Sequence, residues 1–491
     1  MVYNKPMNKP SPMLASTWRC LSTGQQQAFT MVALVALALL VRAPFARWPL
    51  IADEGVYAYT AHWWTSGYTL YSDDLWMDRP QGIFAAYRVG MWLLGESVVA
   101  LRLWGALWAA GTVPLVYLIA RRFYSERAAV LAGLICAVYS ASPQIEGFTA
   151  NAELFMVLPA TASLYLLLRG RPGWAGLLAG LAVALKPSGV STGLLALVLF
   201  WRSQAPRRAY VRFGLGALAV PVVMLAHGMA TVGLAQYLYS ILGSRFSIHR
   251  PWPLLMALSQ LVLTLPAWLP LTATSLLGQR QAERPGMRLV GWWLLTSLPG
   301  MAMGGGWYRH YYVQLIPPLS VLAGAALDAL LRARRRQRTG FAIAFLASIA
   351  LTMGLYMVIS PKEGAARIFE KSMVTYEDEV SAYLRERTTP HDTIYVAYEG
   401  AQICYLTGRR SASPYLFAIH VNYQPGVYDS IIALIEEQRP KYIATSVFRG
   451  ALEDRDERLT VALHENYRLV ETIDLVEIYR RRELERVPGR P

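Results

Sequence analysis

The sequence predicts an α-helical polytopic membrane protein of about 11 transmembrane helices, followed by a small C-terminal α/β extracytoplasmic domain. Three observations lead there. Hydrophobic residues fill 54% of the 491 positions and charged residues only 16%, where soluble domains carry about 25% charge. Apolar stretches long enough to cross roughly 30 Å of hydrocarbon as a helix recur through residues 1–360 and then stop. The net charge of +15 is uneven: residues 1–360 hold 29 Lys/Arg against 11 Asp/Glu, and residues 361–491 hold 18 against 21.

The basic excess sits in short segments: "RRFYSER" (121–127), "RGR" (169–171), "WRSQAPRRAYVR" (201–212), "GQRQAERPGMR" (278–288) and "LRARRRQR" (331–338). They fall on alternate connections, the positive-inside pattern, so the charge reports topology rather than nucleic-acid binding. With these segments cytoplasmic, spans are expected at 29–46, 98–120, 127–143, 153–168, 174–190, 190–201, 213–233, 253–276, 288–303, 311–331 and 340–360. Residues 1–28 read as an uncleaved cytoplasmic tail, because no small-residue cleavage site follows the first apolar run. An odd number of spans then puts residues 361–491 outside, with the plasma (inner) membrane as the expected location. Cys20, Cys136 and Cys404 are too widely spaced to frame disulfides or a metal site.

Within the membrane domain, 29–360, the first outer loop (47–97) is long and holds two Trp- and Tyr-rich segments, expected to form helices lying along the membrane surface. Eight of the 11 acidic residues before position 361 fall on outer-side connections: Asp53, Glu54, Asp73, Asp74, Asp78, Glu96, Glu146 and Glu153. In the soluble region, "YEDEVSAYLRER", "AQICYLTG" and "YDSIIALIEEQ" read as helices, "DTIYVAY" and "KYIATSV" as strands, and "YRLVETIDL" with "VEIYRRR" as a terminal hairpin.

Five constellations on the outer side could carry chemistry. In "ADEGVYAYTAHWW", Asp53 continues a helical stripe through Val56, Tyr57 and Trp63, while Glu54 lies on another face. One acid is enough to cap this helix, which leaves the second to be explained. In "WMDRPQGIFAAY", Pro80 holds Arg79 extended and starts a helix, fixing Asp78 and Arg79 at its entrance. An arginine placed so can grip a phosphate with two parallel bonds. "PQIEGFTANAELFMVLPA" offers Glu146, Asn151 and Glu153. "ALKPSG" offers Lys186, the only lysine between residues 10 and 361. "GGGWYRHYYVQLIPP" offers Arg309, His310 and Tyr312.

Taken in order, the acidic pair after the first span, the Asp-Arg-Pro at the second interfacial helix, "GFTANAELFMVLPA", "LKPSG" and "RHYYVQLIPPLSVLAG" resemble the GT-C-type membrane glycosyltransferases. The chain is most similar to the protein O-mannosyltransferase and lipid A aminoarabinose transferase group, over residues 30–335. The region 361–491 resembles the periplasmic extensions of bacterial members. The resemblance implies transfer of a sugar from a polyprenyl-phosphate donor to an acceptor hydroxyl on a glycan, lipid or protein, usually with inversion. It makes Asp53 the catalytic base and Arg79 a donor-phosphate ligand, although family members more often have Lys and a second proline at positions 79 and 81. Lys186 and Arg309 are expected as further cations at the phosphate, and Asp78, Glu146, Asn151, Glu153, His310 and Tyr312 as substrate-binding residues.

Whether Glu54 assists Asp53, orients the acceptor or binds a metal stays open. No cofactor is certain; some relatives use a divalent ion, but no clean ligand set is present. Other outer arginines, such as Arg245, are expected to be indifferent to the donor. The rival reading is a polytopic lipid or solute transporter or flippase, whose charges would recur at mid-span depth rather than gather on one side.

Overall fold

The structure is a computed structural model that describes residues 22–247, 253–278, 284–303, 305–332, 339, 343, 345–369, 376–398, 400–437, 439–446, 452–454 and 456–482. The membrane part contains helices α1 (Thr23–Arg42), α2 (Ala52–Thr65), α3 (Gln81–Leu94), α4 (Val98–Arg121), α5 (Glu126–Tyr139), α6 (Ala152–Leu168) and α7 (Pro172–Leu185). It continues with α8 (Val190–Arg202), α9 (Arg207–Val232), α10 (Leu234–Ile241), α11 (Pro253–Gly278), α12 (Arg284–Ala302) and α13 (Ile316–Leu331). Most of Cys20's neighbourhood and of the basic segment 331–338 lie outside the described residues.

Each expected span coincides with a helix wherever the residues are described, but the segments are unequal. Among the described residues, five helices are long and apolar enough to cross a membrane: Thr23–Phe45, Val98–Arg121, Arg207–Val232, Leu254–Leu277 and Arg309–Leu331. Ala152–Leu168, Pro172–Leu185 and Phe345–Val358 are apolar and shorter. Local chemistry sets these limits. The Ser97 and Ser125 side chains accept the Ala100 and Ala128 backbone N–H groups, capping α4 and α5. Pro187 pushes Lys186 into an extended conformation and ends α7. Arg309–Leu315 is a 3-10 turn, and α13 begins where Pro317 and Pro318 occupy its first turn.

Small residues bring the helices that carry the site close together. At Gly176 and Gly180 of α7, a Cβ would collide with the carbonyls of Phe213 and Ala217 on α9. At Gly82 of α3 it would collide with the Ala184 carbonyl at the end of α7, so the entrance of α3 lies directly beside Lys186.

The C-terminal part contains α14 (Pro361–Ile368), α15 (Glu377–Arg387), β1 (Thr393–Val396), α16 (Ala401–Thr407), β2 (Arg410–Ser411), α17 (Ala418–Tyr423), α18 (Val427–Glu436), β3 (Tyr442–Ser446), α19 (Arg458–Asn466), β4 (Tyr467–Ile473) and β5 (Val476–Arg481). Its sheet has the order β2-β1-β3-β5-β4. β1 is parallel to β2 and β3, whereas β5 runs antiparallel to β3 and β4. Ile394, Tyr395, Ile443, Ala444 and Ile478 are buried in this sheet. All seven segments read as helix or strand are present; α14, β2, α17 and α19 are additional, and each is short or polar enough to lack a clear period. The domain sits on α2, where a Cβ at Gly55 would lie 2.5 Å from the backbone of Gln402.

Candidate active site

The site starts at the entry to α2. The Ile51 backbone N–H donates to Glu54 Oε2 at 3.1 Å, so Glu54 is the acid that caps this helix. Its other oxygen accepts from the Ala150 backbone N–H at 2.6 Å, and Arg102 Nη2 lies 2.7 Å from Oε2. The Glu54 and Arg102 side chains are 0% and 2% exposed. Glu54 thus ties α2 to α4 and to the loop leading into α6. The structure places it away from any surface a substrate could reach, which departs from its expected place beside Asp53.

Asp53, one residue earlier, points elsewhere and is 19% exposed. Its Oδ1 receives Arg79 Nη2 at 3.0 Å and the Tyr57 hydroxyl at 3.5 Å. Its Oδ2 has His310 Nε2 at 4.0 Å and no hydrogen bond among the described residues. Arg79 Nε donates to the Tyr57 hydroxyl at 3.2 Å, and Nη1 pairs with Asp78. The Tyr71 hydroxyl donates to the Arg79 carbonyl at 2.8 Å, holding the backbone in place. Pro80 is the N-cap of α3, as its sequence context predicts. Gln81, which stands where the family commonly has a second proline, donates to the Met224 carbonyl at 3.0 Å and accepts from the Tyr237 hydroxyl at 2.9 Å. It anchors this entrance to α9 and α10.

Lys186, at the end of α7, pairs with Glu153 of α6, and its ammonium lies 4.5 Å from the centre of the Tyr311 ring. His310 Nδ1 is 2.8 Å from Glu146 Oε2, and its Nε2 is 3.8 Å from Glu153 Oε1. Glu146 has a φ of 52°, a left-handed conformation that side-chain-bearing residues seldom adopt. One continuous network therefore joins Asp53, Asp78, Arg79, Glu146, Glu153, Lys186 and His310, drawn from five separate segments. Glu153 Oε2 and both polar atoms of the buried Asn151 side chain lack hydrogen-bond partners among the described residues.

Two expected members stand apart. Arg309 is half-buried and makes no ion pair among the described residues. Tyr312 is 2% exposed and bonds to Thr264 of α11, turning its hydroxyl into the helix bundle. Glu96 and Asp74 engage His62 and Arg410 instead of the network. Among the described residues, no group of three His, Cys, Asp or Glu side chains is arranged to hold a metal ion, so no step is routed through one.

The structure adds residues that local sequence did not single out. Arg245, expected to be a bystander, places Nη2 3.2 Å from Asp78 Oδ2 and 3.0 Å from the Asp78 carbonyl. His420 of α17 places Nε2 3.4 Å from the same Oδ2. Burial pushes the Asp78 carboxyl up, but Arg79, Arg245 and His420 together hold it well below the usual carboxylate range. Burial opposes the charge on Arg79, yet Asp78, Tyr57 and Asp53 raise its affinity for the proton further. The signal for these residues lies in pairings more than 160 positions apart in sequence.

This geometry can be set beside known proteins. Residues 78–227 match the family described as dolichyl-phosphate-mannose-protein mannosyltransferase. Over 95% of this chain and 98% of that one, the fold matches ArnT from Cupriavidus metallidurans in the apo state, with a TM-score of 0.64 and 18% identity. ArnT from the same organism bound to undecaprenyl phosphate matches over 91% and 97%, with a TM-score of 0.58 and 17% identity. The archaeal oligosaccharyltransferase AglB from Archaeoglobus fulgidus, in complex with an inhibitory peptide and a dolichol-phosphate, matches over 86% and 69%, with a TM-score of 0.50 and 13% identity. Among curated protein sequences there is no match. The chain thus shares the fold of ArnT over nearly its whole length. Its central segment carries the mannosyltransferase family's pattern.

Proposed function

We propose that the protein transfers a sugar from a polyprenyl-phosphate donor to an acceptor hydroxyl at the outer face of the membrane, with inversion. The observation that carries this reading is the placement of Asp53. One of its oxygens is held by Arg79, while the other has no hydrogen bond among the described residues and borders a cluster that contains Lys186 and His310. Asp53 Oδ2 takes the proton from the acceptor hydroxyl as its oxygen bonds to the anomeric carbon. The bond from that carbon to the phosphate oxygen breaks, and the polyprenyl phosphate leaves with the electron pair. Arg79 and Lys186, each about four-fifths buried, stabilise the phosphate as its charge grows. Arg245 adds a third cation beside Asp78. The undecaprenyl phosphate bound to an ArnT and the dolichol-phosphate in complex with AglB support a lipid-linked donor of this chemistry.

In this reading the chain lies in the plasma (inner) membrane, with residues 1–28 cytoplasmic, residues 361–491 extracytoplasmic and the network on the extracytoplasmic side. Reporter fusions at positions 335 and 400 should give opposite signals; equal signals would move the site to the other face. The activity test incubates purified protein with radiolabelled polyprenyl-phosphate sugars and follows the label into lipid, glycan and protein fractions. Transfer into one of them is expected. Label that stays on the donor with every sugar and acceptor fraction supplied would overturn the reading.

A further inference from the structure

The C-terminal domain contributes more than a cover. Its loop before α17 carries Phe417, whose ring centre lies 4.7 Å from the Arg79 guanidinium carbon, while the Tyr57 ring approaches the same carbon at 5.7 Å. Three residues on, His420 approaches Asp78 Oδ2 and is 1% exposed. The His420 ring stands edge-on to Trp76 at 5.0 Å and to Phe417 at 5.4 Å. Its Nδ1 is buried without a hydrogen bond among the described residues, so Asp78 is the ring's one polar partner. A histidine serving only as core filler would seldom leave a buried nitrogen unpaired. The domain is also held in register there. Tyr59 accepts the Ser411 backbone N–H at 2.8 Å, and Tyr415 packs on Trp76 at 5.1 Å.

We infer that Phe417 and His420 are positioning residues for the donor-phosphate site, so that the C-terminal domain completes it. This rests on the reading that Arg79 meets the phosphate. A guanidinium recognises phosphate through a planar fork, and the fork is useful only if its plane is fixed. Asp78 and Asp53 hold the two ends of the Arg79 fork, Tyr57 holds Nε, and Phe417 lies against the guanidinium. His420 in turn holds the Asp78 carboxylate. The domain thus acts on Arg79 directly through an aromatic face and indirectly through Asp78.

The test uses full-length protein in detergent and undecaprenyl phosphate as the probe, with the dissociation constant measured for each variant. Phe417→Ala and His420→Ala should each weaken binding roughly three- to tenfold, the effect expected for one cation–π contact or one hydrogen bond to a charged group. Phe417→Trp and His420→Gln keep a ring face and a polar side chain, and should bind within about twofold of the wild type. Ile432→Ala perturbs the core of the same domain away from the site, and should leave the affinity of the folded protein unchanged. If Phe417→Ala and His420→Ala bind like the wild type while Arg79→Ala loses affinity, the inference fails and the phosphate reading stands. An equal loss in Ile432→Ala would also overturn the inference, since general domain loosening would then be sufficient. If Arg79→Ala binds like the wild type, the phosphate reading fails and the inference with it.

Discussion

Neighbouring carboxylates in this chain make the same kind of bond to arginine in opposite surroundings. Glu54 and Arg102 are sealed among α2, α4 and the loop before α6, at 0% and 2% exposure. Asp53 and Arg79 meet at the mouth of the cluster, at 19% and 20% exposure. Both partners of the sealed pair are also held by backbone groups: Glu54 by Ile51 and Ala150, Arg102 by the Pro49 carbonyl at 2.6 Å. The open pair leaves Asp53 Oδ2 without a hydrogen bond among the described residues. A sealed pair is costly to break because the remaining charge has no water to turn to. An open pair can exchange one partner for a substrate. The difference separates a residue that builds the site from one that can work in it.

The sharpest way to break this comparison is Asp53→Asn. Turnover should fall by roughly a hundredfold to ten-thousandfold, the range for loss of a general base, with thermal stability little altered. Retained activity would remove Asp53 from the chemistry.

Arg102→Ala should do the reverse. Leaving Glu54 buried and unpaired costs about 3–5 kcal/mol, so the expected outcome is a large drop in unfolding temperature and yield. Any surviving folded protein should keep near-normal turnover. A stable Arg102→Ala protein with lost turnover would return Glu54 to the catalytic group.

Next come the cations of the open region. Lys186→Ala should weaken polyprenyl-phosphate binding about tenfold or more, as expected for a hydrogen bond between charged groups. Arg79→Lys should lose less, because charge persists without the fork. Equal losses in the two would show that charge without the fork is of no use at Arg79.

The smallest effect concerns pH. Since the folded-state affinity of Asp78 for a proton is depressed, its pairing contributes stability above the unfolded carboxylate value of about 3.9 and loses it as pH falls through the lower folded value. The difference in melting temperature between the wild type and Asp78→Asn should therefore stay constant from pH 7 to about 4 and shrink only below that. A difference that vanishes near pH 6 would mean that Asp78 is not held by these cations.

Much of the site was visible in the residues themselves. Asp53, Arg79 and Lys186 stood out because charge at a membrane rim is costly and therefore conspicuous. The "DRP" context gave the start of α3 after Pro80, and "KPS" gave the end of α7, because proline acts on the chain through local sterics. Other assignments depended on what each side chain faces. The helical wheel put Asp53 on the stripe expected to be covered, yet tertiary packing buries Glu54 instead and leaves Asp53 at the opening. A period shows which residues share a face, but not which neighbour covers that face. Tyr312 was grouped with His310 by proximity in sequence, and the 3-10 turn sends their side chains to different neighbours.

Sequence alone establishes the membrane class, the positions of the helices, the α/β pattern of residues 376–482 and the inter-helix residues from which the cluster is built. These follow from hydropathy, local sterics and charge placement, which act within a few turns of chain. The tertiary structure alone decided that Glu54 caps and seals while Asp53 opens to the site, that Arg245 joins Asp78, and that Phe417 and His420 reach the Asp78–Arg79 dipeptide from the C-terminal domain. The contacts of Arg245, Phe417 and His420 join segments more than 160 residues apart. No local pattern encodes them, because they exist only once the helices have packed and the domain has docked on α2.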